Sequence, residues 1–198
     1  MRRRHLAAAL LGAGVLLGGC GTAPARAPAP ATASAAAAEV EAGDQHNDTD
    51  VMFLQMLIHH QKQGLQMTGT AVRRAHRPEL KTLAAAVQAT ERDEAAMMTS
   101  WLAGWGKPTD VDTDSNLHAD HGGLPATGPA EIKSLSTVRA GAFDTAFLNL
   151  FVAHQHNAVE MAHLETANGK NAEAKKLAER VRESRQGEIQ QMLAMMNK

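Results

Sequence analysis

The amino-acid sequence predicts an all-α protein, a four-helix bundle built from two repeated helical hairpins. Its 198 residues are 44% hydrophobic and 21% charged, which is typical of a globular domain. Only 3% are aromatic and tyrosine is absent, which argues against a β-sandwich and against an aromatic surface for stacking nucleic-acid bases. The net charge of −1 provides no basic excess for a phosphate backbone, so DNA and RNA binding are disfavoured.

A repeat at a fixed offset is the observation that suggests two hairpins. The segment DVMFLQMLIHHQKQGLQM, residues 50–67, aligns without gaps on DTAFLNLFVAHQHNAVEM, residues 144–161, at an offset of 94. The same offset continues downstream, where Glu94 and Met98 match Glu188 and Met192. Because a lone hairpin cannot bury its own apolar face, the repeat units 48–105 and 142–198 are expected to form one domain over 48–198.

Helix boundaries follow from residues that favour or break helices. Asp50 and Asp144 are candidate N-caps or first-turn acids, and the apolar runs after them contain no proline. Breaks at the His76-Arg77-Pro78 segment and at 168–171 then divide each unit into two helices. The expected helices run near 49–74, 78–104, 143–167 and 171–196. Proline and glycine over 106–128 predict a loop between the units.

The N-terminus has the pattern of an export signal. Three arginines precede a short apolar stretch, which is too short for a permanent membrane span, so residues 1–19 are predicted to be a removed signal peptide. The ending Leu-Gly-Gly-Cys resembles a bacterial lipobox, in which Cys20 would be lipidated and anchor the chain to the membrane. Residues 20–47, rich in Ala and Pro, would then form a flexible tether. The alternative is a secretory signal cut nearby, with an incidental Cys20.

Imidazole, thioether and carboxylate side chains recur at equivalent places in the two units. At about 100° per residue, each repeated histidine falls on the same stripe of its helix as a methionine and a phenylalanine, and so points into the apolar seam. These groups are metal ligands, and thioether with imidazole favours copper, above all Cu(I). The two candidate sets are His60, Met67, Glu94 and Met98, and His154, Met161, Glu188 and Met192.

A purely structural interpretation competes with the metal hypothesis. His60 and Met67 are separated by ~10 Å along a straight helix, so a single ion is not expected to bind both. A histidine paired with a glutamate across a bundle is an ordinary buried polar pair, and methionine is a common gap-filler. The repetition does not decide between the two, because a duplicated core preserves packing residues as readily as ligands.

Two further groups of histidines are weaker candidates. His156, Glu160 and His163 could chelate a metal, but they face away from the His154 stripe and are expected to be solvated. His118 and His121 lie close to aspartates in the loop between the units, where they could capture a cation.

Catalysis is not expected. A di-iron oxidase needs glutamates on two helices and Glu-x-x-His on two others, and only Glu160 and His163 show that spacing. No Ser/His/Asp pattern, glycine-rich phosphate loop or cysteine nucleophile is recognisable. The sequence therefore favours a binding protein over an enzyme.

The doubled pattern of Asp, Phe-Leu, His-Gln and Met, each copy followed by Glu-x-x-x-Met, resembles the bacterial family of domain of unknown function 305. The resemblance covers residues 48–198 and rests on FLQMLIHHQKQGLQM and FDTAFLNLFVAHQHNAVEM. It implies an exported, ferritin-like four-helix protein, and some members are implicated in copper binding and resistance. Three features depart from the family pattern: Gln155 follows His154 where a His-His pair is frequent, Gly64 replaces a common Ala, and a Met-rich linker is missing.

Together these observations predict an exported, membrane-anchored protein that sequesters or handles copper through His, Met and Glu of the bundle core. It would lie on the outer face of the cytoplasmic membrane, anchored by the lipid on Cys20, or be secreted. The alternative is a metal-free structural or interaction lipoprotein of the cell envelope, with an unknown protein partner.

Overall fold

The computed structural model describes residues 41–111 and 127–197, in which the only regular secondary structure is helical and no strand is present. The predicted all-α fold is therefore confirmed. The helices in chain order are α1 (Asp48–Arg74), α2 (Pro78–Gly104), α3 (Pro129–Thr137), a 3-10 turn (Ala140–Ala142), α4 (Phe143–Asn168) and α5 (Ala172–Met196).

The four long helices form two hairpins, as the repeat predicts. Helix α1 packs along α2, α4 packs along α5, and the hairpins meet mainly through α1 and α4. The expected boundaries agree with the observed ones to within one residue, because strong local signals set them. Pro78 occupies the first turn of α2, and the Asn171 side chain caps the backbone N–H groups of Glu173 and Ala174 at the start of α5.

An aspartate at the same position of each repeat unit binds the turn of the opposite hairpin. Asp50, in the first turn of α1, accepts hydrogen bonds from the backbone N–H groups of Lys170 at 3.0 Å and Asn171 at 2.8 Å. Asp144, in the first turn of α4, accepts from those of His76 at 2.9 Å and Arg77 at 3.0 Å. Asp50 and Asp144 are therefore first-turn acids and not N-caps. Because each bonds to the turn of the other hairpin, the two hairpins are joined by equivalent hydrogen bonds.

The interior is layered along the helix axes. Near the α1–α2 turn lies a phenylalanine cluster, which includes Met67, Phe143, Phe147, Phe151 and Met192. Near the opposite end lies a tryptophan cluster, which includes Phe53, Met98, Trp101, Met161 and Val181. Along every long helix, buried polar residues fall between the members of the two clusters; they are His60, Gln61, Glu91, His154, Gln155, Arg185 and Glu188. We call this region the polar layer.

Two connecting segments pack more closely than the sequence predicts. Helix α3, which sequence patterns do not reveal, buries Leu135, and the Arg74 guanidinium donates to the carbonyl oxygens of Leu135 and Val138. Residues 41–47, expected as the end of the tether, also contact the helices. There the His46 ring stacks on Trp105 with centroids 4.4 Å apart.

The predicted signal peptide, Cys20, most of the tether and the loop histidines His118 and His121 lie outside the described residues. Within the described ranges, no helix is both long and apolar enough to cross a membrane.

Candidate metal centre

The two repeated histidines meet at the centre of the polar layer. His60 on α1 and His154 on α4 are both buried, and their rings stack nearly parallel with centroids 3.7 Å apart. The predicted inward orientation is thus confirmed, and the two imidazoles contact each other across the junction of the hairpins.

Hydrogen bonds leave one nitrogen of each ring without a partner. His60 Nε2 lies 2.9 Å from the backbone oxygen of His154, which can only accept, so this nitrogen carries the proton and Nδ1 keeps its lone pair. His154 Nδ1 lies 2.7 Å from the hydroxyl of Thr127, whose backbone N–H donates to Gln63 Oε1. Within the described residues, His60 Nδ1 and His154 Nε2 are buried and make no hydrogen bond.

Burial keeps both rings neutral. Desolvation lowers the pKa of His60 to about 4, although the bond to the His154 carbonyl opposes the effect. Burial, together with the neighbouring His60 and Arg185, lowers the pKa of His154 to about 2. At neutral pH each imidazole therefore has a lone pair, which is the form that binds metals.

Glutamines, and not histidines, pair with the repeated glutamates. Gln61 Nε2 donates to Glu94 at 2.6 Å, and its repeat counterpart Gln155 donates to Glu188 at the same distance. The His-Glu pair considered as a structural interpretation is thus replaced by two equivalent Gln-Glu pairs.

A buried arginine joins these acids. Arg185 Nη2 lies 2.5 Å from Glu94 Oε2 and 3.9 Å from Glu91 Oε1, and Arg185 Nη1 lies 3.2 Å from Glu188 Oε1. Burial alone would lower the pKa of Arg185, but the three carboxyl groups raise it above its ordinary value. Burial raises the pKa of Glu91 to about 8 against the opposing effect of Arg185, and burial likewise raises the pKa of Glu94.

Glu91 and Arg185 occupy equivalent positions of the repeat, since they are 94 residues apart. Sequence comparison of the units missed both, because it looked for identity and here the units carry opposite charges. A search for charge complementarity at equivalent positions would have found the pair.

The structure places all eight predicted ligands in the interior or at its edge but does not gather either set at one point. The thioethers of Met67 and Met192 lie in the phenylalanine cluster, and those of Met98 and Met161 in the tryptophan cluster. Glu94 and Glu188 are engaged by Arg185 and the glutamines. Each predicted set is therefore divided among three layers.

Other candidate clusters are less developed. His156, Glu160 and His163 are exposed, as expected from their helical face. Over residues 41–111 and 127–197, no three His, Cys, Asp or Glu side chains converge closely enough to hold a metal ion by themselves. The buried imidazole pair is thus the most distinctive arrangement of ligand atoms in this part of the chain.

Comparison with known proteins identifies close structural relatives. A DUF305 fragment from Deinococcus radiodurans superposes with a TM-score of 0.67 at 23% identity, over 79% of this chain and 98% of that one. A DUF305 protein from Streptomyces coelicolor, predicted to be secreted, superposes with a TM-score of 0.68 at 26% identity, over 74% and 91% of the two chains.

A third relative is CopM, solved with bound Cu(I), Cu(II) and silver. The Cu(I) form superposes with a TM-score of 0.61 at 26% identity, over 75% of this chain and 95% of CopM. No curated protein sequence matches the chain. The family model of the domain of unknown function DUF305 matches residues 50–196. The chain therefore belongs to the DUF305 family.

Proposed function

We propose that this chain is an exported copper-binding protein, and not an enzyme, which sequesters or passes on copper outside the cytoplasmic membrane. The observation that supports this most directly is the buried pair of neutral imidazoles, each with an unpartnered nitrogen, at the centre of the bundle. A buried polar atom without a partner is costly, so a ligand that binds it gains both the new bond and relief of that cost.

The residues present fit a copper ion. His60 Nδ1 and His154 Nε2 are borderline ligands suited to copper. The polar layer lies between two apolar clusters that hold buried methionines, Met67 and Met192 in one and Met98 and Met161 in the other among them, and thioethers are the soft ligands that Cu(I) prefers. CopM, which has the same fold and shares 26% identity, binds copper in both oxidation states and silver. We propose His60 and His154 as primary ligands, with Met67 and Met192 on one side of the polar layer and Met98 and Met161 on the other as soft groups that flank it.

Glu94 and Glu188 have a different proposed role. Because each already accepts from Arg185 and a glutamine, we propose that they position the polar layer and neutralise Arg185 without ligating the ion.

Titration of the purified chain with Cu(I) and with Cu(II) tests the proposal. His60→Ala and His154→Ala should each weaken binding at least about tenfold. His163→Ala, at an exposed position of the same helix as His154, serves as the control and should bind like the parent. Copper should also raise the melting temperature, because a ligand that binds only the folded state stabilises it. Equal, weak binding by all four proteins and an unchanged melting temperature would instead favour a metal-free interaction lipoprotein.

The membrane anchor is a separate part of the proposal. We propose that Cys20 carries the lipid and that the domain remains attached to the outer face of the cytoplasmic membrane. Replacing Cys20 by Ala should move the mature protein from the membrane fraction to the soluble exported fraction, as followed by immunoblotting. An unchanged membrane fraction in the Cys20→Ala variant would contradict lipid anchoring at this residue.

A further inference from the structure

The backbone of Gly64 packs directly against the polar layer, where the absence of a side chain lets two polar groups approach α1. A methyl group at this position would overlap Oε2 of Glu91 and lie 3.1 Å from Nε2 of His154. The equivalent residue of the second hairpin is Ala158, which is fully buried. The missing side chain at Gly64 therefore lets Glu91 and His154 come together at a point where the second hairpin carries a methyl group.

The two atoms that meet beside Gly64, Glu91 Oε2 and His154 Nε2, are both buried and without hydrogen-bond partners among the described residues. The other oxygen of the same carboxyl group, Glu91 Oε1, is 3.5 Å from Gln155 Nε2 and 3.9 Å from Arg185 Nη2. Glu91 is thus held from one side by its Oε1 atom, while Oε2 packs against the backbone of Gly64. Buried polar atoms without partners are rare in proteins, and two of them beside one glycine indicate a ligand.

We propose that Glu91 Oε2 and His154 Nε2, beside Gly64, form a site for a divalent ion, specifically Cu(II). This inference rests on the proposed copper function and adds a carboxylate ligand and an oxidation state to it. A carboxylate oxygen with an imidazole nitrogen suits Cu(II), whereas Cu(I) prefers thioethers. Three carboxyl groups, those of Glu91 and Glu188 in the polar layer and of Glu94 at its edge, lie within 4.0 Å of Arg185, so a bound cation can replace the proton of Glu91 without leaving excess positive charge.

The surroundings of His154 fix the orientation of its ring. A surface cavity of about 360 Å³, lined in part by Thr127, Glu131 and Asn157, reaches His154 beside Thr127. In the metal-bound form, His154 Nδ1–H donates to the Thr127 hydroxyl 2.7 Å away, which fixes the ring orientation and directs Nε2 to the ion.

Two substitutions test the site in the purified chain. Gly64→Ala places a methyl group against both proposed ligand atoms, and Glu91→Gln removes the carboxyl group while keeping the shape of the side chain. The matched control is Gly187→Ala, because a methyl at this helical glycine meets nothing within 4 Å. Each protein is titrated with Cu(II) and with Cu(I), its Cu(II) electron paramagnetic resonance spectrum is recorded, and its fold is checked by circular dichroism.

We expect both Gly64→Ala and Glu91→Gln to weaken Cu(II) binding at least about tenfold and to alter the Cu(II) spectrum, with Cu(I) binding retained. Gly187→Ala should match the parent in every measurement. Cu(II) affinity and spectrum unchanged in a folded Glu91→Gln variant would overturn this inference while leaving copper binding by the histidines intact. If His60→Ala and His154→Ala also bind copper like the parent, the proposed function itself fails.

Discussion

At the scale of single residues, the polar layer depends on Arg185. Its guanidinium is fully buried and lies within 4.0 Å of Glu91, Glu94 and Glu188. Removing water from four ionisable groups is expensive, and their mutual attraction offsets the cost only while all partners are present. Arg185 is therefore the residue whose loss leaves the largest uncompensated charge.

We expect Arg185→Met to destabilise the fold by about 3–5 kcal/mol at neutral pH, because it leaves the acids of the layer without their cation. Urea unfolding followed by circular dichroism measures the change. The loss should be smaller at acidic pH, where the same acids take up protons. Arg180→Met, at an exposed position of the same helix, should change the free energy of unfolding little. Equal losses in the two variants would contradict the role given to Arg185.

Glu165 gives the protein a pH dependence of its own. Burial, and then the nearby carboxylate of Asp50, raises the pKa of Glu165 from 4.5 to about 8. Between these values the unfolded chain releases a proton that the folded chain keeps, so the contribution of Glu165 to stability falls as the pH rises from 4.5 to 8.

Glu165→Gln should remove this dependence and raise the free energy of unfolding at pH 8 more than at pH 5, by about 1–3 kcal/mol. Chemical denaturation at the two pH values measures the difference. Glu160→Gln, exposed on the same helix, is the control and should leave the pH profile unchanged. A Glu165→Gln profile parallel to that of the parent would show that Glu165 is ionised in the folded state.

At the scale of elements, the hydrogen bonds of Asp50 and Asp144 to the turn of the opposite hairpin hold the two hairpins in register. Asp50 is fully buried and accepts from the turn between α4 and α5 as well as from the Asn47 backbone at 2.6 Å. Asp144 does the same for the turn between α1 and α2. Each aspartate thus caps the turn of the other hairpin, and Asp50 also caps the start of its own.

Asp50→Ala should lower the free energy of unfolding by about 2–4 kcal/mol, because it leaves several buried N–H groups without an acceptor. Asp144→Ala, whose side chain is 12% exposed, should cost less. Asp93→Ala, exposed on α2, provides the baseline. All three are compared by urea unfolding. If the Asp50→Ala loss did not exceed that of Asp93→Ala, these hydrogen bonds would not be stabilising.

The long helices could be predicted from sequence because local signals define them. A continuous apolar period ends at Pro78 in one unit and at Gly169 in the other, and both are strong helix breakers. Helix α3 could not be predicted in the same way. It has nine residues, buries one of them, Leu135, and is fixed by Arg74, which is 61 residues away from Leu135 in the chain. Contacts between residues so far apart in the chain produce no repeating pattern of apolar residues in the sequence.

The candidate site was only partly predictable for a related reason. The helical period correctly predicted that His60 and His154 face the interior. The stacking of their rings could not be predicted, because it depends on how the two hairpins pack against each other. Gln61 and Gln155 were visible as repeat matches, whereas their bonds to Glu94 and Glu188 depend on side-chain geometry.

At the scale of the whole molecule, the two hairpins are related by approximate twofold pseudosymmetry, so that equivalent residues make equivalent contacts. The aspartate contacts, the Gln-Glu pairs and the stacked histidines all obey it. The position shared by Glu91 and Arg185 departs from it in charge, and that shared by Gly64 and Ala158 departs from it in size. These two departures lie together and set the first hairpin apart as the one that borders the proposed ion site.

Exchanging the two charges tests this symmetry. The single variants Glu91→Arg and Arg185→Glu should each be strongly destabilised, since each places like charges together in the interior. The double variant should recover at least about 2 kcal/mol relative to the additive expectation, because it restores the pair with its direction reversed. A double-mutant cycle by urea unfolding gives the coupling energy. A coupling near zero would mean that the two positions are not equivalent in the fold.

The central claim is that copper binds in the interior of the bundle, at the stacked imidazoles. Anomalous X-ray scattering from crystals of the copper-loaded chain, recorded at the copper absorption edge, tests it most directly. We expect an anomalous peak in the polar layer within bonding distance of His60 Nδ1 or His154 Nε2. Copper located only at exposed histidines such as His156 and His163, with none in the polar layer, would contradict it.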